Sequence, residues 1–279
     1  MKAPPFAYVR PRSVAEALDH LQRHGTAAKV LAGGQSLMPA MNMRLAAPAV
    51  LIDIGALSEL EGIHITGGKV RIGALTTHAA IEQSAAIRRH LPLLADAAPH
   101  IAHAAIRNRG TFGGSLVTAD PAAEWPACCV ALDARYTLQS ATRTREVAAG
   151  DFHTGPYATV LAPDELLTGV TLPIPAAGTR HAFLELARRQ GDYAIAGLAA
   201  LAGPGRLRLA YLGVAGTPVN AGKTAELLLR GGYGDEALAA AKDSLHAELD
   251  PAADLYTSAA AKLHLAHVLT TRAVRQLHA

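Results

Sequence analysis

Two short segments of this sequence have the residue types needed to hold an anion. Ala32-Gly33-Gly34-Gln35-Ser36 follows a short apolar run, Lys29–Ala32, and precedes a helical pattern. Consecutive glycines can adopt positive φ and carry no Cβ to obstruct a ligand. Their N–H groups can therefore turn toward a phosphate, and the start of the following helix adds favourable charge. Ser36 adds a hydroxyl donor. Thr111-Phe112-Gly113-Gly114-Ser115 offers the same chemistry a second time. A single Gly-Gly turn carries little information. Two of them, each ending in serine, favour a phosphate without identifying it. Neighbouring patterns fail on spacing. No Gly-x-Gly-x-x-Gly follows a strand, so a Rossmann fingerprint is absent. Gly34-Gln35-Ser36-Leu37-Met38 ends in Met where a nucleophile elbow ends in Gly. Between Gly216 and Gly222-Lys223-Thr224 lie five residues, one of them Pro218, where a phosphate-binding P-loop has four.

The remaining reactive side chains are sparse. Cys128 and Cys129 are adjacent, so they cannot supply a metal cage or hold an iron–sulfur cluster. They read as small buried apolar residues. His100 and His103 could share a helical face, but no third ligand accompanies them, and no metal is expected. Taken alone, Glu124 reads as a solvated charge in the first turn of a helix. Tyr193 alone reads as a core residue and Asp192 as the cap of a turn. Arg107 and Arg109 flank the second glycine segment, where a structural and an electrostatic role are both open.

Elements of both kinds must position these residues. Ser13-Val14-Ala15-Glu16 reads as a capping box opening a helix that Gly25 stops. Lys29–Ala32 and Val50–Ile54 read as strands, and Gly62–Ile65 with Lys69–Ile72 as a hairpin across Gly67-Gly68. Helical patterns run from about Thr77 to His103. Asp120-Pro121 predicts a helix start leading to about Leu132. Ala134–Gln139 and Thr144–Val147 read as a second hairpin, and Leu166–Leu172 as a strand. The proline-rich stretch from Pro173 to Gly178 is the expected domain boundary. Strands follow at His181–Ala187, Tyr193–Leu201 and Arg206–Val214, then helices at Lys223–Arg230, Asp235–Leu249 and Ala252–His278. With 279 residues and 50% hydrophobic content, the chain can bury a real core, and the 4% of aromatics means aliphatic side chains must build it. A net charge of +3 without a basic block excludes a nucleic-acid binder. No signal-peptide core or long apolar span is present, so a cytoplasmic protein without a membrane span is the default expectation.

On these residues the sequence resembles the FAD-binding medium subunit of the molybdenum hydroxylases, the family of carbon monoxide dehydrogenase and xanthine dehydrogenase. The resemblance is carried by Ala32–Pro39, Arg44-Leu45, Leu51–Ile54, Ile106–Ser115, Ala119–Glu124, Arg189–Gly197, and Gly213 to Pro218. It runs almost end to end. It implies an α+β fold: an FAD-binding domain over 1–176, of two α/β subdomains (about 1–55 and 56–176, of the PCMH type), then a smaller C-terminal domain over 177–279 of antiparallel strands and helices. It further implies that Lys29, Val30, Leu31, Ala32, Gly33, Gly34, Gln35 and Ser36 form one loop at the FAD diphosphate. Thr111, Gly113, Gly114 and Ser115 would form the other. Thr118 and Glu124 match positions at the flavin's sugar-alcohol chain, Ile101 and Leu167 match apolar positions near the cofactor, and Tyr193 matches an aromatic beside the isoalloxazine. Three positions depart from the family. Phe112 replaces an aliphatic residue, Asn220 a frequent arginine, and Glu185 a frequent lysine, which would reverse any charge tuning the flavin from there.

The implied function is electron transfer. The chain itself would hold FAD, while an iron–sulfur subunit and a large molybdopterin subunit would be its partners. Electrons would pass through the clusters to FAD and on to an external acceptor such as NAD, a quinone or oxygen. No side chain here would be a catalytic acid, base or nucleophile toward the organic substrate. Two other readings are a stand-alone oxidase of the vanillyl-alcohol-oxidase type and a non-enzymatic assembly subunit. The roughly hundred residues after Pro175 are few for the substrate cap of such an oxidase.

Overall fold

A computed structural model describes residues 2–278. The N-terminal part is a three-stranded parallel sheet in which Val50–Asp53 lies between Ala7–Val9 and Ala28–Leu31. The helix Val14–His24 crosses over it. Its buried residues Val14, Ala17, Leu18 and Leu21 recur at helical spacing and form one stripe against the sheet. Ser13 caps this helix through the N–H of Glu16, as the sequence predicts. The Glu16 carboxylate reaches one residue further back than a capping box requires, to the N–H of Arg12. Gly25 ends the helix with φ 49°.

The second sheet has five antiparallel strands in the order Ile63–Thr66, Lys69–Gly73, Leu166–Pro173, Arg135–Gln139 and Thr144–Ala148. Both hairpins read from the sequence are present in it. The predicted helical stretch after Thr77 is a chain of short helices, His78–Gln83, Ala85–His90, Pro92–Ala97 and Ala104–Arg107. Ser84 and Pro92 break it up, each starting a new helix. His100 ends a 3₁₀ turn and His103 caps the next helix, so the two do not share a helical face. The helix predicted from Asp120 begins only at Glu124. Ala119 takes the left-handed conformation at φ 53°, and the Asp120 carboxylate accepts from the Ala122 N–H, which closes a turn in place of a helix.

The third sheet is antiparallel, with strands Arg180–Leu186, Ala196–Gly203, Arg206–Leu212 and Val219–Asn220. One face buries Leu198, Ala200, Leu209 and Tyr211 against the helices Gly222–Arg230, Asp235–Glu248 and Ala259–His278. The last helix starts seven residues later than the sequence predicts; Asp254 instead accepts from the N–H groups of Tyr256 and Thr257 and holds a turn. The other face of the sheet sends Phe183, Ala199, Ala210 and Leu212 into the same core as Trp125, Cys128 and Leu94. The two halves of the chain therefore share a continuous apolar seam. Among the described residues no helix is long and apolar enough to cross a membrane.

Candidate functional site

The first glycine segment is a true loop. It leaves the strand Ala28–Leu31 and enters the helix Leu37–Asn42. The N–H groups of Gly33, Gly34, Gln35 and Ser36 find no acceptor among the described residues. Half-buried backbone donors without partners are costly unless water or a ligand meets them. Gly34 sits at φ 73°, which turns the chain between them. The Gln35 side-chain amide donates to the Gly33 carbonyl at 3.0 Å and steadies the turn. Ser36 makes no capping bond, so its hydroxyl is available as well.

The second segment is not a loop. Thr111 is the N-cap of the helix Phe112–Thr118, and its Oγ1 accepts from the Gly114 N–H at 3.2 Å. The Phe112 N–H donates to the Thr76 carbonyl and the Gly113 N–H to the Ala74 carbonyl, at 2.9 and 2.8 Å. The N–H groups of Phe112, Gly113 and Gly114 thus have partners within the chain, where the sequence alone suggests open donors. The reason is non-local: the second sheet and the turn after it present carbonyls to this helix start. A Cβ on Gly113 would lie 2.6 Å from the Ala74 Cβ, so this glycine permits close packing. Of the side chains here, Thr118 returns its hydroxyl to the Gly114 carbonyl, while the hydroxyl of half-buried Ser115 has no hydrogen-bond partner among the described residues.

The two segments meet through backbone. A Cβ on Gly33 would fall 2.1 Å from the Arg109 carbonyl oxygen and 2.9 Å from the Gly110 Cα. Gly110 in turn leans on the ring of His78. Nδ1 of His78 accepts from the buried Trp125 indole at 2.9 Å, and burial pushes the imidazole pKa down to about 4. Arg107 clamps the same region: it bonds Glu82 at 2.8 Å and the carbonyls of Ile101 and Ala102 at 3.1 and 2.9 Å. Its role is structural. Trp125, His78 and Glu82 carried no sequence signal for this work, because each acts through a partner distant in the chain.

Of the remaining candidates, Glu124, Tyr193 and Ile101 lie near the seam, whereas Leu167 lies within the core and Lys29 on the first sheet. Glu124 opens its helix, yet is only 8% exposed. Burial pushes its carboxyl up to about 7, its own N–H acts downward, and Asp120 adds to the rise. It is therefore not the solvated charge its position alone suggests. Tyr193 is 79% exposed, so it is no core residue, and it stands at the lip of this region. Burial, then Asp120 and Glu124, raise its phenol pKa. Its loop reaches back to the first half, where Gly191 packs on the Ala102 carbonyl. Ile101 lies beside that contact, 8% exposed. Leu167 is 2% exposed, beside a bulge in its strand, and belongs to the core. Tyr157, unnoticed in the sequence, donates to Asp120 at 3.2 Å. Lys29 is exposed on the first sheet, next to half-buried Val30 and Leu31.

Glu185 departs from expectation. Its side chain is 2% exposed and its nearest cation candidate, His100 Nδ1, is 4.0 Å away. Burial and the neighbouring Glu124 push the carboxyl up to about 8. Burial lowers the His100 pKa as well, Asp96 opposing it. Burial thus works against the charged form of both groups, so the position does not carry the fixed negative charge its residue type suggests.

Residues 4–175 match the family described as "FAD binding domain in molybdopterin dehydrogenase" and residues 181–277 "CO dehydrogenase flavoprotein C-terminal domain". The chain is 45% identical to the nicotine 6-hydroxylase medium subunit of Paenarthrobacter nicotinovorans, over 71% of this chain and 69% of that one. It is 38% identical to the carbon monoxide dehydrogenase medium chain of Hydrogenophaga pseudoflava, over 98% and 97%. A solved structure of carbon monoxide dehydrogenase from Hydrogenophaga pseudoflava superposes with a TM-score of 0.96 at 38% identity, covering 100% of this chain and 99% of that one. These matches extend through the C-terminal region, which favours a dehydrogenase flavoprotein over a stand-alone oxidase or a degenerate assembly subunit.

Proposed function

This chain belongs to the FAD-binding subunits of the molybdopterin dehydrogenases, and from that premise we propose how its own residues hold and serve the flavin. FAD is its cofactor, and the chain is the flavoprotein of a molybdenum hydroxylase complex. The observation that carries the site assignment is the row of unpartnered N–H groups from Gly33 to Ser36. A diphosphate needs several donors on one concave surface, and this loop supplies them without side-chain cost. Lys29, Val30 and Leu31 lead the chain into that loop, and Ala32 opens it.

The helix start at Thr111 serves differently. Gly113 seats it on Ala74, and Arg109 and Gly110 back the first loop, so the helix fixes where the phosphate cradle stands. Thr111, Gly114, Ser115 and Thr118 line the approach, with the Ser115 hydroxyl as its open donor. Glu124 accepts hydrogen bonds from the sugar-alcohol hydroxyls when ionised and donates one when neutral. Ile101 and Leu167 keep water from the ring end, and Tyr193 shields one flavin face. When bound, FAD takes up electrons at its ring and releases them to an acceptor. The iron–sulfur and molybdopterin subunits are the partners in this reading, the acceptor is NAD, a quinone or oxygen, and the compartment is the cytoplasm. Residues 1–176 form the FAD-binding domain and 177–279 the C-terminal one.

Acid precipitation of the purified chain tests the reading. FAD should appear in the supernatant at about one per chain, set by the single cradle. Flavin retained in the pellet would mean a covalent oxidase, and a colourless chain an empty assembly subunit.

A further inference from the structure

Alternation along the strand Arg180–Leu186 puts Glu185 on the same sheet face as Phe183, the face turned toward the FAD-binding half. Its Oε2 is buried and has no hydrogen-bond partner among the described residues. An orphaned carboxyl oxygen in a core is expensive, and natural proteins retain one where it does chemistry or meets a ligand. Glu124 is the second buried carboxyl in this region, and neither acid has an Arg or Lys within ion-pair distance among the described residues. His100 lies between Glu185 and solvent: its Nδ1 is 4.0 Å from Oε2, and its side chain is 33% exposed. Asp96 faces His100 from the preceding helix and bonds His181, and the Phe183 ring packs edge-on against the imidazole. The Cys128 thiol faces the same acids and stays protonated, because burial raises it and Cys129, Glu124, Glu185 and Asp96 add to the rise.

We propose that Glu185 is the proton-exchanging carboxyl of the flavin pocket and that His100 links it to solvent. The inference rests on the FAD site described above. Iron–sulfur clusters deliver electrons and no protons, whereas a flavin that gains two electrons also gains at least one proton. Glu185 supplies that proton from its O–H as two electrons arrive from the clusters. The resulting carboxylate takes a proton back through the His100 imidazole from water, and the sequence reverses when the acceptor removes the electrons. Glu124 keeps the cycle near neutral pH: once it is ionised, its charge opposes ionisation of Glu185, so the pair shares its negative charge. A lysine at this position would fix a positive charge and could not act this way.

The test uses the FAD-loaded full-length chain, photoreduced with a pH-indicating dye present, as wild type, Glu185→Gln and His100→Gln. The wild-type midpoint potential should change slope with pH between about 7 and 8, where the two carboxyls titrate. Glu185→Gln should keep the bound-flavin absorbance, lose the upper change of slope, and slow proton uptake at least about 100-fold. His100→Gln should slow uptake and leave the potential curve in place. A Glu185→Gln protein with wild-type slope and uptake rate overturns the proposal while leaving the FAD site intact. If that variant does not hold flavin, the wild-type infrared difference spectrum decides. Reduction must bleach a protonated-carboxyl band that shifts in deuterated water, and its absence overturns the proposal. A wild-type chain without flavin would instead overturn the FAD assignment itself.

Discussion

The loop Ala32–Ser36 and the helix start Thr111–Ser115 carry the same Gly-Gly pair and the same closing serine, yet they have opposite hydrogen-bond states. In the first, the N–H groups from Gly33 to Ser36 are open. In the second, those of Phe112, Gly113 and Gly114 are engaged by Thr76, Ala74 and Thr111. An open set of donors binds; a closed set braces. Glycine serves both, because the missing Cβ admits a ligand in one place and a neighbouring strand in the other.

The largest effect on FAD binding should come from Gly33→Val. Its side chain would collide with the Arg109 carbonyl, a backbone atom that cannot step aside. FAD affinity should fall by at least about 100-fold, or roughly 2.7 kcal/mol, with far-ultraviolet circular dichroism unchanged. Equilibrium dialysis of the apoprotein measures it. Next comes pH. The His78 pKa is about 4 when folded, below the ordinary 6.5. The unfolded chain therefore takes up a proton at a pH where the folded chain does not. Stability from this group is complete above about pH 6.5 and is lost as pH falls toward 4, by roughly 3 kcal/mol. Denaturant titrations across that range should show the loss, and His78→Gln should flatten it.

Gly113→Ala should cost about 1–3 kcal/mol of stability by overpacking against Ala74, while protein that remains folded keeps FAD. If Gly113→Ala removed flavin without a fall in melting temperature, the bracing role would be wrong. The smallest pair divides the two segments most finely. Thr111→Ala removes a cap and should cost about 1 kcal/mol of stability with little change in FAD affinity. Ser36→Ala should do the reverse, weakening FAD by about 1 kcal/mol through one lost hydroxyl bond and leaving stability alone.

What the sequence disclosed follows the range of the forces involved. The Ser13 cap, the Gly25 stop, both hairpins and the Gly33-Gly34 turn are local, and they were legible. The engaged state of Thr111–Ser115 depends on Ala74 and Thr76, which lie some forty residues earlier, and no spacing rule announces it. The late helix start at Glu124 depends on an αL residue, Ala119, which alanine does not signal. Tyr193, assigned to a core when taken alone, is exposed because its loop is held from outside by the Gly191–Ala102 contact. Glu185 was legible as a departure from its family, but the burial that pushes its carboxyl upward comes from distant residues.

Amide hydrogen exchange of the apoprotein and the FAD-bound chain tests the distinction most directly. The N–H groups of Gly33, Gly34, Gln35 and Ser36 should exchange fast without FAD and become protected with it, whereas Phe112, Gly113 and Gly114 should be protected in both states. Fast exchange from Gly33 to Ser36 with FAD bound, or protection at Phe112–Gly114 that appears only with FAD, would contradict it.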